Sequence, residues 1–445
     1  MSFPRYGAYK ESGVEWLGEV PDHWDVTRLN YVFEIVKRIA GTDDFDVLSI
    51  TQKGIKIKDL ESGEGQLASD YSKYQIVKKG DFAMNQMDLL TGYVDVSKFD
   101  GVTSPDYRVF QLFNFDRDYP QYLLRLLQNC YHQRLFFPYG QGAAHLGRWR
   151  LPKEEFNNFL FPRPPYDEQC KIAQFLDHET DRIDTLIAEQ QRLIKLLKEK
   201  RQAVISHAVT KGLDPNAPMK DSSVEWLGEV PEHWEVTRAK FVSDIFVPQR
   251  NKPVLNESDG LDWVTMEDMK GKYISESSNK VSIQAIKEAG SKILRKDSVV
   301  ASCVGRFGIA AINMVDVIIN QQLQAFIPCQ IKAEYLRELV SLSTEYFELI
   351  GTAATLIYVN QQGFENMPIL SPPIDEQNQI CSYVDQLNGR YEGLLNQSYE
   401  SIKLLQERRS ALISAAVTGK IDVRGWQAPA NAPPAPILEP AHGRQ

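Results

Sequence analysis

The sequence predicts an α+β fold. Two mixed α/β globular regions are separated by two long antiparallel helices that form a coiled coil, and the whole has internal pseudo-two-fold symmetry. Three observations predict this. The phrase "VEWLGEVPDHWDVTR" (Val14 to Arg28) returns as "VEWLGEVPEHWEVTR" (Val224 to Arg238), with thirteen of fifteen positions identical. Two further blocks recur 208 residues apart: "PPYDEQCKIAQFLD" with "PPIDEQNQICSYVD", and "KRQAVISHAVTKGLD" with "RRSALISAAVTGKID". Each half also carries a long helical run after a stretch of about 130 residues that is not repeated. A repeat on this scale is one structural plan used twice.

The elements follow in order along 445 residues, a length that favours two or three domains. The N-terminal "MSFPRYGAYKESG" has no apolar core, so it is no signal peptide. In the first globular region, 1–165, "FDVLSITQKGIKIK" and "VKKGDFAMNQ" read as short strands with turns, and "PQYLLRLLQNCYHQRLFF" reads as a helix. The first long helix is expected over 166–212. Asp167 is its N-cap, Glu168 suits the positive end of the helix dipole, and Gly212 is its C-cap. Its apolar seam is Ile172, Leu176, Ile183, Leu186, Leu193, Leu197 and Val204. The second globular region, 213–373, reads likewise, with strands through "ILRKDSVVASCVGRFGIAAINMVDVIINQQLQAFIP" and a helix at "AEYLRELVSLSTEYFELI". The second long helix, 374–420, ends near Gly419. Its seam is Ile380, Val384, Leu387, Tyr391, Leu394, Leu405 and Leu412. Steps of three and four make both seams heptad-like, and a helix of about 43 residues spans roughly 65 Å. So narrow a stripe needs a partner, and the other copy supplies it. The Pro/Ala-rich tail, 421–445, is expected to be disordered.

Composition narrows the function. A net charge of −9 argues against a free-standing, non-specific nucleic-acid binder. Five cysteines without a CxxC pair suit a reducing compartment and exclude a disulfide scaffold. The most apolar stretch, Val299 to Ile319, is broken by Arg306 and Asp316, so no membrane span is expected and the chain reads as cytoplasmic. Two near-identical frames holding unlike faces suit a reader of two different words in a duplex, whose backbone repeats while its base sequence does not.

"KESGVEWLGEVPDHWDV" and "KDSSVEWLGEVPEHWEV", the paired "PPxDEQ" blocks and the paired "ISxAVTxG" blocks together resemble the specificity subunit of type I restriction–modification systems. The resemblance runs from Lys10 to about Asp422. It implies two variable target-recognition domains, each reading one half of a split site on double-stranded DNA. It also implies repeated regions that dock two modification (methyltransferase) subunits, joined by restriction/translocase subunits. Adenine methylation would use S-adenosylmethionine on the modification subunit, and ATP and Mg would act on the restriction subunit. The resemblance thus implies a non-catalytic chain without a cofactor or metal of its own, in a bacterial or archaeal cytoplasm.

Rival chemistries find little support. An amino-methyltransferase grips its target with a polar-Pro-Pro-aromatic loop. "RPPY" lacks the polar residue and "SPPI" lacks the aromatic, and prolines are ordinary at helix starts. "CVGRFG" is a weak glycine loop, better read as a strand turn. No GxxxxGK[ST] phosphate loop is present. "SDYSKYQ" and "EDMKGK" read as surface turns and not as a nuclease metal site. A scaffold without a DNA role would have no need of two unlike faces on one frame. His23, Trp24, His233 and Trp234 read as scaffold. Base contacts favour Arg to guanine and Asn or Gln to adenine. The candidates are Asn85, Gln86, Arg108, Arg148 and Arg150 in the first region. In the second they are Arg306, Asn320, Gln321, Gln322, Tyr358, Asn360, Gln361 and Gln362. Lys78, Lys79, Arg295 and Lys296 are candidate phosphate contacts. The coiled coil is expected to set the two readers about one DNA turn apart, roughly 34 Å.

Overall fold

The computed structural model describes residues 3–59, 70–142, 149–256, 258–353 and 356–427. The chain forms two compact units: residues 1–191 with 399–445, and residues 192–398. The division runs through both long helices, so each unit holds half of each.

In the first unit, apolar strands of alternating parity build a four-stranded antiparallel sheet in the order Phe33–Val36, Arg108–Leu112, Phe82–Met84, Val94–Val96. The helix Pro120–His132 packs on it, starting with a proline where a missing N–H costs nothing. Phe33, Phe82, Phe110, Tyr122, Phe156 and Phe161 form the centre of the core. The first long helix, Tyr166–Lys211, contributes Ile172, Leu176 and Ile183 to that core. The second, Ile374–Val417, contributes Leu412, Ile413, Ala416 and Val417.

The second unit has a five-stranded sheet ordered Ser243–Phe246, Leu323–Pro328, Val299–Ser302, Ala310–Asn313, Tyr273–Ile274. A three-stranded sheet, Lys280–Val281, Leu261–Val264 and Val317–Ile319, accompanies it. The strands Val299–Ser302, Ala310–Asn313 and Val317–Ile319 are each buried along their whole length, which is why this stretch is the most apolar of the sequence. The helix Ala333–Leu342 takes the place of Pro120–His132. The core gathers Trp234, Phe326, Tyr335 and Phe364 with Ile205, Ala208 and Val209 of the first long helix and Ile380, Val384, Leu387 and Tyr391 of the second.

Within each unit the two helices run antiparallel. In the first, the Arg409 guanidinium donates to Asp184 (Nε to Oδ1, 2.9 Å), while the start of the first helix lies by the end of the second. In the second, Arg201 Nε donates to Asn388 Oδ1 at 2.8 Å. The seam differs from the heptad expectation. Leu186, Leu193 and Leu394 are exposed, and Ile187, Ile194 and Leu395 turn inward instead. The inward positions run 172, 176, 180, 183, 187, 190, 194, 197, 201, 205, 208, and 380, 384, 387, 391, 395, 398, 402, 405, 409, 412, 416. Both are 36 residues in ten steps, the 3.6 period of a straight helix, so a strict 3.5 repeat drifts off the face by one position. Leu197, Val204 and Leu405 are half-buried, and the remaining predicted seam residues are buried.

The first residues of the expected disordered tail, 421–427, are ordered on the first unit. Val423 is buried, Trp426 meets the Phe175 ring edge-on at 5.7 Å, and Asp422 N donates to Pro4 O at 2.8 Å. Ile421, Val423 and Trp426 pack against the core of the first unit, and 428–445 lie outside the described residues. No described helix is long and apolar enough to cross a membrane.

Candidate nucleic-acid interface

The repeated phrases meet in space. In the first unit the Glu168 carboxylate, from "PPYDEQ", accepts from Trp24 Nε1 at 3.1 Å and from the Tyr6 hydroxyl, and lies 2.8 Å from His23 Nε2. Burial, followed by the adjoining Glu168, pushes the Tyr6 hydroxyl well above the usual tyrosine range, which keeps it a donor. In the second unit Glu376 accepts from Trp234 Nε1 at 2.8 Å and lies 2.7 Å from His233 Nε2. The next residue repeats its task as well. Gln169 Oε1 accepts from Tyr119 N (2.8 Å) and Gln377 Oε1 from Lys332 N (2.9 Å), holding the start of the short helix in each unit.

The end of the other long helix completes each node. Tyr122 Oη donates to Val417 O at 3.2 Å, and Tyr335 Oη donates to Val209 O at 2.9 Å. Gly419 and Gly212 take φ of +74° and +77°. A Cβ at Gly419 would lie 2.4 Å from Pro21 Cδ, so only glycine permits both the turn and the close approach. The opening phrase therefore clamps the start of one long helix to the end of the other, with histidine and tryptophan as scaffold.

On this constant frame the unrepeated residues enter and leave at adjoining points. Leu29 N donates to Phe159 O (3.1 Å), and Ala239 N donates to Met367 O (2.9 Å). Inside these brackets three loops meet at the end of the central strand. In the first unit Leu151 N donates to Gln86 O at 2.9 Å and Gln86 Nε2 to Asp106 O at 2.8 Å. In the second, Val359 N donates to Cys303 O and Cys303 N to Gln322 O, both at 2.9 Å. Gln86 thus corresponds to Cys303, Asp106 to Gln322 and Leu151 to Val359.

The structure sorts the candidate readers. Asn85 is half-buried on a groove of about 740 Å³ that Lys56, Lys58, Tyr74, Met87 and Tyr107 also line. Arg150 is exposed nearby on the returning loop, and Arg148 lies outside the described residues. Gln86 and Arg108 are inside: each is about one-twentieth exposed, and Arg108 Nη2 donates to Leu151 O at 3.0 Å over the Phe156 ring. Burial lowers the Arg108 guanidinium to about 10. Neither side chain presents a surface to a base. In the second unit Arg306 is exposed on the loop after Val299–Ser302, and Tyr358 is exposed on the returning segment. The bridge Val304 to Tyr358 brings the two together. Gln321 Nε2 donates to Arg250 O at 3.1 Å, while Gln322 N donates to Asn320 Oδ1 at 3.0 Å. Asn360 caps the helix Gln361–Glu365 through Gly363 N, and Gln361 reaches Glu365 at 2.8 Å. Gln362 lines a pocket of about 280 Å³ with Tyr358, Asn360 and Asn366.

Lys78, Lys79, Arg295 and Lys296 are not brought to these loops. They precede the strands Phe82–Met84 and Val299–Ser302, whereas the loops follow them. Sequence reasoning missed Lys56, Lys58 and Arg250. The alternation in "GIKIK" places both lysines on one face of the hairpin Leu48–Thr51/Gly54–Ile57 and was the available signal. Among the described residues, no cluster of His, Cys, Asp or Glu fits a metal ion.

A constant frame built twice, carrying two unlike sets of loops, defines a two-headed recognition scaffold. Comparison with known proteins gives it a place. The type I restriction modification DNA specificity domain matches residues 21–196 and 231–404, and the chain belongs to that family. It is a type I specificity subunit, a non-catalytic component of a restriction–modification system. It is 22% identical to the type I restriction enzyme MjaVIII specificity subunit of Methanocaldococcus jannaschii, over 94% of this chain and 97% of that one. The fold is similar to that of the HsdS subunit from Thermoanaerobacter tengcongensis, with TM-score 0.54, 18% identity, and 93% and 99% of the two chains covered. It is also similar to a chain in the structure described as "Structural basis underlying complex assembly and conformational transition of the type I R-M system". There the TM-score is 0.68 at 18% identity, covering 89% and 98%.

Proposed function

We propose that the chain reads a split, asymmetric DNA site, one half with each unit, and holds modification and restriction subunits on its repeated regions. One observation carries this: equivalent nodes hold different residues at equivalent loop positions. Gln86 answers to Cys303, Asp106 to Gln322, and Arg150 to Tyr358. A constant frame suits a constant sugar–phosphate geometry, and differing loops suit differing base edges. Asn85 and Arg150, with Lys56 and Lys58, are the contacts of the first unit. Arg306, Asn320, Gln321, Gln322, Tyr358, Asn360 and Gln361 are those of the second. A net charge of −9 means that many phosphate contacts come from a partner subunit. Chemistry belongs to those partners: adenine methylation with S-adenosylmethionine on the modification subunit, ATP and Mg on the restriction subunit.

The adjoining exit points make the test direct. Replacing residues 243–367 by a copy of 33–159 leaves both anchoring hydrogen bonds in place. Co-expressed with the modification subunit, the natural chain is expected to give a methylated-adenine motif with two different halves, and the replaced chain a motif whose halves are the same word. Single-molecule sequencing of genomic DNA reads both. Persistence of the original second half would defeat the assignment of one half per unit.

A further inference from the structure

The two buried polar residues at the reader corner share a position and a task while differing in chemistry. Arg108 stands opposite Met84 near the start of its strand, and Gln324 stands opposite Ala301 near the start of the equivalent strand. Arg108 Nη2 donates to Leu151 O, and Gln324 Nε2 donates to Val359 O, each at 3.0 Å. Leu151 follows Arg150, while Val359 lies between Tyr358 and Asn360. Each side chain thus fastens the carbonyl of the residue next to exposed candidate readers. Neither is well satisfied: Arg108 Nη1 and Gln324 Oε1 are buried without a hydrogen-bond partner among the described residues. Arg108 is also a buried cation with no carboxylate paired to it among the described residues. A buried polar group with an orphaned atom stabilises less than an apolar residue of the same shape. Stability alone therefore does not account for either residue.

We infer that Arg108 and Gln324 are positioning residues for base recognition, each setting the backbone of the returning reader loop in its own unit. The inference rests on the reading that each unit takes one half-site. The side chains themselves touch no base. They fix where Arg150, or Tyr358 and Asn360, can reach, so arginine in one unit and glutamine in the other set different loop heights over the same strand end. A loop less well held admits more than one base, because the cost of a mismatch depends on contacts that cannot relax.

The test uses the full chain with its modification subunit, and the exchange of 243–367 identifies which half belongs to which unit. Arg108→Met is expected to lower discrimination about tenfold at one or more positions of the first half, the order of a single mismatched base, with the second half unchanged. Gln324→Leu is expected to do the converse. Arg108→Lys, which retains a donor, is expected to recover part of the first-half selectivity, and the melting midpoint of the assembled complex should not follow the order of selectivity. Relaxation of both halves together, or of neither in an assembled complex, would overturn the inference. Should Arg108→Met fail to assemble, Gln324→Leu decides alone. If the exchange behaves as expected and these variants do not, only the positioning role falls. If the exchange itself changes both halves, the underlying reading falls.

Discussion

Arg163→Ser is expected to destabilise the first unit by about 3–5 kcal/mol, the cost of stranding a buried charge. Arg163 donates to both oxygens of Asp118, Nε to Oδ1 at 2.8 Å and Nη2 to Oδ2 at 2.7 Å, and the Asp118 side chain is 1% exposed. The second unit supplies the control. Gln169 receives Tyr119 N and Gln377 receives Lys332 N, so Asp118 corresponds to Ile331. The strand registers align Arg163 with Ser371. An isoleucine and a serine thus serve in one unit where an ion pair serves in the other. Burial raises the Asp118 carboxyl above its ordinary range despite the opposing pull of Arg163. A folded pKa above the unfolded one means that this group removes stability as pH rises between the two values. Ionising Asp118 is therefore disfavoured in the fold even beside Arg163. Asp118→Ile with Arg163→Ser should be about as stable as the natural chain, while Arg163→Ser alone should recover part of its deficit on acidification. Denaturant midpoints of the four chains of this cycle, at neutral and acidic pH, check both.

Glu168→Ala should cost more than Glu376→Ala, about 2–4 against 1–2 kcal/mol. Both remove the acceptor of a fully buried tryptophan N–H. Only the first also strands the buried Tyr6 hydroxyl; the histidines, 40% and 47% exposed, can turn to water. The first node is closed over by the residues around Pro4 and Asp422, whereas Glu376 remains about one-third exposed. Thermal unfolding of the two variants should show the difference, and equal losses would mean that closure over the first node adds nothing.

The long helices, their glycine ends and the duplication were legible because they rest on local spacing and on identity between distant stretches. The seam was legible at both ends and slipped in the middle. Leucine occurs at 186, 193 and 394 on the heptad grid, while the inward residues Ile187, Ile194 and Leu395 lie one position on, and only the accumulated 3.6 period separates them. Arg108 drew attention by its chemistry, yet it shares strand parity with Phe110 and Leu112, both core residues; that alternation pointed inward. The node was not legible. Nothing within "DHW" or "DEQ" says that His23 and Glu168, 145 residues apart, are neighbours.

The division of the units through both helices has a consequence for synthesis. Residues 192–398 are one contiguous stretch, so the second unit has all its parts once the ribosome has moved past them. The first unit is translated earlier but lacks a wall until 399–427 emerge, bringing Leu412, Val417 and Val423 to its core. The head made first is the last to close. A nascent chain stopped short of its end carries an unfinished first head with exposed apolar surface, the kind of species that draws chaperones or aggregates.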